Sequence, residues 1–96
     1  MPAFTNPFSG NIDKKINKAE LTQAIRLDIA NEIEAISVYD AHVQATDDKI
    51  AKKVLADIRD EEKVHVGELL ALLKHLDPTL AASLAAGESE VTKMIK

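Results

Sequence analysis

The sequence predicts an all-α fold: an antiparallel two-helix hairpin with a short C-terminal helix, closed into a four-helix bundle by a second copy. Three observations carry this expectation. The stretches 17–45 and 47–77 contain no Pro. Apolar residues recur along each at steps that alternate four and three, the pattern of a helix seam packed on another helix. Only Thr46-Asp47-Asp48 separates them, which is too short for anything but a tight connection between antiparallel helices.

Residues 1–16 hold Pro2, Pro7 and Gly10 with little periodicity and read as an irregular arm. Phe4 and Phe8 either anchor that arm on a neighbouring surface or belong to a partly ordered terminus. The first helix, 17–45, starts at Asn17-Lys18-Ala19-Glu20, with Asn17 as N-cap and Glu20 three residues on. Ile25, Ile29, Ile36 and Val43 form its stripe, with Leu21 beside the start. Ile58, Leu69, Leu72 and Leu76 do the same for the second helix, 47–77. Asp77-Pro78 stops that helix and caps the next, with Pro at the first helical position. The third helix spans 78–86 and ends at Gly87, leaving 87–96 as a tail that either adds one more helical turn or frays.

Composition narrows the function. At 96 residues the chain is a single domain. Aromatics make up only 3%, so the core is aliphatic and suits helix-on-helix packing. The absence of Cys excludes disulfides, iron–sulfur clusters, thiolate zinc sites and a Cys nucleophile. No apolar run approaches the roughly 18 residues of a membrane span. The N-terminus lacks the basic and apolar regions of a signal peptide, so a cytoplasmic site is expected. A net charge of −4 argues against nucleic acid and for cationic ligands.

The anomaly lies inside the seams. The second-helix stripe steps through 58, 62, 65, 69, 72 and 76, and puts Glu62 and His65 where Leu or Ile belongs. The first steps through 25, 29, 32, 36, 39 and 43, and includes Glu32 and Tyr39. A carboxylate or imidazole in a packing seam is costly unless paired, protonated or bound to a cation. Counted from the turn at Thr46, Glu32, Glu62 and His65 differ in height by only roughly 3 to 8 Å, so one ion could meet all three. One chain offers too few ligands for an octahedral ion, and two helices cannot cover two apolar stripes. A second copy removes both deficits. The doubled set is Glu from two helices and Glu-x-x-His from the other two, which is the known ferritin-like di-iron pattern.

The segment Glu32-Ile33-Glu34-Ala35-Ile36-Ser37-Val38-Tyr39-Asp40, followed by Arg59-Asp60-Glu61-Glu62-Lys63-Val64-His65, resembles the encapsulated ferritin family over about residues 20–80. The resemblance implies a ferroxidase site completed across a homodimer, a decameric ring of such dimers, and a place as cargo of an encapsulin shell. It implies iron at Glu32, Glu62 and His65. A bridging Glu62 from each chain would hold the two irons about 3.5 to 4 Å apart, with Glu32 and His65 as terminal ligands. Spacing alone leaves the Tyr39 hydroxyl either on a ligand carboxylate or in water; the resemblance implies the carboxylate. Glu34 lies off the seam and reads as a solvated acid, with only the resemblance implying a role in drawing iron in. Asn31 stands where the family often has an acid, and Val91-Thr92-Lys93-Met94-Ile95-Lys96 shows no evident shell-docking peptide.

Other polar residues are expected to be bland. Glu61, Glu68 and His75 share a stripe facing solvent or a neighbouring subunit, His42 faces an interface or solvent, and Asp57, Asp60 and Lys63 form exposed ion pairs. Two alternatives to ferroxidase stay open. One is a manganese or mixed-metal site handling peroxide, since carboxylate-rich sites accept Mn and Fe similarly. The other is a non-catalytic hairpin that dimerises through its seam, its charges fixing the register.

Overall fold

The computed structural model describes residues 14–95; Phe4 and Phe8 of the expected arm lie outside them. Three helices follow one another: α1 (Lys18–Ala45), α2 (Lys49–Leu76) and α3 (Pro78–Ile95). No strand occurs among the described residues. The long helices α1 and α2 form the hairpin, and α3 leans on α2 alone.

Each boundary has a local cause. Asn17 and Glu20 form a reciprocal capping box: the Glu20 amide donates to Asn17 Oδ1 at 2.8 Å and the Asn17 amide to Glu20 Oε1 at 3.0 Å. At the turn Thr46 leaves the helix in extended conformation. Asp48 is the cap of α2, accepting from the Ala51 amide at 2.8 Å. Lys52 Nζ donates to the Val43 carbonyl at 2.7 Å, putting a cation on the otherwise unpaired C-terminal carbonyls of α1.

The third helix departs from expectation. It runs through Gly87 to Ile95 instead of stopping at residue 86. Gly87 costs a helix interior about 1 kcal/mol, but Ala85, Ala86, Glu88 and Glu90 around it favour helix and no Pro follows. Nothing lies within 4 Å of where its side chain would be. With nothing to turn the chain, the helix continues.

The interior is thin. Ile25 and Leu73 are the buried apolar residues among those described, at 7% and 4% exposure, joined by Thr22, whose hydroxyl donates to the Lys18 carbonyl. They sit at the open end of the hairpin, where Arg26 also reaches Asp77 at 3.3 Å. Leu73 corrects the expected α2 stripe. Half-buried or buried positions 55, 59, 62, 66, 69, 73 and 76 form the face turned to α1, while His65 and Leu72 stand exposed beside it. The row 62, 69 and 76 is shared with the expected stripe, and the second row of the inward face lies at 59, 66 and 73 in place of 58, 65 and 72. The radius of gyration, 16.7 Å, exceeds the roughly 12 to 13 Å of a compact domain of this length. One protomer does not close a core.

Candidate metal centre

The midsection of the hairpin brings two carboxylates and an imidazole together. Glu32 comes from the middle of α1; Glu62 and His65 come from α2, one turn apart and on one side of it. His65 Nδ1 lies 3.5 Å from Glu32 Oε2 and 3.6 Å from Glu62 Oε2. One donor atom from each residue falls within 4.8 Å of the other two. The sequence-predicted trio therefore meets.

Burial grades across the centre. The side chains are 17% exposed at Glu62, 28% at Glu32 and 48% at His65, so it opens on the His65 side. Glu32 Oε2 is buried and accepts no hydrogen bond among the described residues. An anionic oxygen in that position has lost water without gaining a donor. Two carboxylates and an imidazole converging on one point suit a divalent first-row cation, and three donors leave room in an octahedral shell for more. The residues present fit such an ion.

The remaining expected site residues lie elsewhere. Tyr39 is half-buried two turns along α1, and within one protomer its hydroxyl makes no hydrogen bond to Glu32, Glu62 or His65. Glu34 and Asn31 are exposed. His42, Glu61, Glu68 and His75 are exposed and form no acid–histidine cluster among the described residues. The Asp60–Lys63 pair forms at 3.3 Å with both side chains 58% exposed.

One feature escaped the sequence reading. Arg59, three residues before Glu62, splits its guanidinium between the helices: Nη1 donates to Asp40 Oδ1 on α1 at 2.8 Å, and Nε to Asp60 Oδ1 at 3.1 Å. Its side chain is 21% exposed. The bonds to Asp60 and Asp40 raise the Arg59 pKa further above the ordinary guanidinium value. Arg59 and then Lys63 hold the Asp60 carboxyl below the usual carboxylate range. An Arg at this place in the Arg59-Asp60-Glu61-Glu62 string was the available signal; its partner depended on the helix register.

Comparison with known proteins places this arrangement. A model of the EncFtn-like family matches residues 10–87. The ferritin-like-encapsulin shell fusion protein of Pyrococcus furiosus is 40% identical over 89 residues, covering 93% of this chain and 26% of that protein. The encapsulin nanocompartment cargo protein EncC of Myxococcus xanthus is 42% identical over 78 residues, covering 81% of this chain and 60% of that one. The chain thus spans less than two thirds of the length of either relative. The crystal structure of the encapsulated ferritin domain from Pyrococcus furiosus aligns with a TM-score of 0.82 at 39% identity, covering 96% of this chain and 94% of that one. With the family match spanning most of its length and the fold shared end to end, this chain belongs to the EncFtn-like family.

Proposed function

We propose that the protein is a ferroxidase whose substrate is Fe(II), acting at a dinuclear centre completed by two copies of the chain. Glu32, Glu62 and His65 of each copy bind the ions: Glu62 bridges, and Glu32 and His65 terminate. Each Fe(II) gives up one electron; two electrons and two protons from solvent convert dioxygen to hydrogen peroxide. Carboxylates favour the harder ferric product. The observation that carries this reading is the convergence of Glu32, Glu62 and His65 around Glu32 Oε2, a buried oxygen that accepts no hydrogen bond. The open side at His65 and exposed Leu72 beside it support closure by a second copy.

The hairpin encloses no room for a mineral, so iron storage falls to a surrounding compartment. The relatives named for an encapsulin shell and its cargo support an encapsulin as that compartment. Dimers of this kind would assemble further, as a decameric ring, and Tyr39 and Glu34 would serve the centre from positions that a neighbouring copy completes.

The test is to add Fe(II) anaerobically to the full chain, follow native mass, and then admit oxygen. Two irons per two chains, dimerisation on loading and prompt Fe(III) formation are expected. Glu32→Ala, Glu62→Ala and His65→Ala should each slow oxidation by about tenfold or more. Full activity in all three would refute the proposal. Turnover with Mn(II) and peroxide but not with Fe(II) and oxygen would assign the site to peroxide handling instead.

A further inference from the structure

Glu62 has a competitor for its carboxylate built into its own helix. Arg59 lies three residues before it, a separation at which oppositely charged helix side chains pair. A guanidinium seated on Glu62 would occupy the oxygens a cation needs and place a positive charge beside the ion. In the structure that pair is absent, since no Arg59 nitrogen lies within 4.0 Å of a Glu62 oxygen. Two of the three guanidinium nitrogens are taken, Nη1 by Asp40 at 2.8 Å and Nε by Asp60 at 3.1 Å, and both bonds draw the group toward acids other than Glu62. Lys63, next to Glu62 in sequence, is likewise drawn to Asp60 at 3.3 Å.

Building on the proposed cation site, we infer that Asp40 and Asp60 are positioning residues that hold Arg59 away from Glu62, keeping its carboxylate free for metal. The arrangement does two things together. It lets α2 carry a cation that bridges to α1 on the turn side of the centre. It also leaves Glu32 and Glu62 without a Lys or Arg partner, with only the His65 imidazole near them. The device is an ion-pair relay across the hairpin, Asp40 to Arg59 to Asp60 to Lys63, running beside the metal ligands without touching them.

The rival explanation is that the Asp40–Arg59 pair fixes helix register, and a mutant cycle separates the two. Affinity for Co(II), an oxygen-stable probe, is measured by its visible absorption on the full chain, with thermal melting of the apo protein alongside. Asp40→Asn removes the charge that holds Nη1 on α1 and should weaken Co(II) binding by roughly fivefold. Arg59→Gln removes the competitor and should bind at least as tightly as the parent chain. The double variant Asp40→Asn/Arg59→Gln should recover parent affinity, although its apo protein melts no higher than either single variant.

If register is what matters, both single variants weaken binding and the double variant does not recover; that result overturns the inference. Equal affinity in Asp40→Asn and the parent overturns it as well. Failure of the parent to bind Co(II) at all would instead defeat the underlying cation-site reading, and this inference with it.

Discussion

Glu32 on α1 and His65 on α2 face each other at 3.5 Å across the middle of the hairpin, and the Glu32 oxygen in that pair is buried with no hydrogen-bond donor. A folded chain tolerates this only where something else repays the lost hydration. Stability and cation binding therefore pull in opposite directions at Glu32.

Replacing Glu32 by Gln tests that opposition directly. The amide keeps the shape, removes the charge and can donate. The apo protein should melt higher, by up to about 1 kcal/mol of stability, while added Fe(II) or Mn(II) should no longer raise the melting temperature. In the parent chain, metal at a hundredfold excess over Kd should add about 2.7 kcal/mol, and a chelator should remove it. A Gln variant that melts lower than the parent without metal would contradict the reading of that oxygen as unpaired.

Asp77 governs how the joint between α2 and α3 responds to acid. The Thr79 hydroxyl, the Leu80 amide and Arg26 hold its carboxyl below the ordinary Asp value, against a smaller opposing push from burial. A carboxylate whose folded pKa is depressed adds stability at pH above its unfolded value, about 3.9, and loses it as pH falls through the folded value. Asp77→Ala should therefore melt below the parent at neutral pH. The gap should narrow in melts taken at pH below about 4. A gap that stays constant into acid would show that the carboxylate charge plays no part.

Gly87 offers a stabilising change. It lies within α3, and a side chain there meets nothing within 4 Å. Gly87→Ala should raise the helix content and stability of the protomer by about 0.5 to 1 kcal/mol. Circular dichroism melts would measure this, with native mass recorded in parallel. A variant that folds more tightly yet assembles less would show that a neighbouring chain passes close to that bare stretch of α3. A lower melting temperature would mean that the glycine is not helical in solution.

The centre was legible because its residues broke a pattern. Glu32, Glu62 and His65 interrupt an apolar period, and a fixed helical rise converts their sequence spacing into a common height. The capping signals at Asn17 and Asp77 were equally readable, since they act within a turn of chain. What escaped depends on geometry between helices. Asp40 and Arg59 each look like surface residues alone, and only the hairpin register puts them 2.8 Å apart. Leu73 rather than Leu72 turns inward because the row at 59, 66 and 73 faces α1, a rotation of α2 about its axis that only its packing against α1 determines. Gly87 misled because a glycine marks a helix end only when its neighbours also favour leaving the helix.

The sparse interior around Ile25 and Leu73 has a kinetic consequence. Backbone amides exchange slowly only where opening exposes much apolar surface, and a lone hairpin has such a place at one end alone. Deuterium uptake along α1 and α2 should consequently be quick towards the Thr46 turn and slower near Ile25. The appearance of slow-exchanging amides around Glu32 and Glu62 would then time-stamp the moment a protomer finds its counterpart.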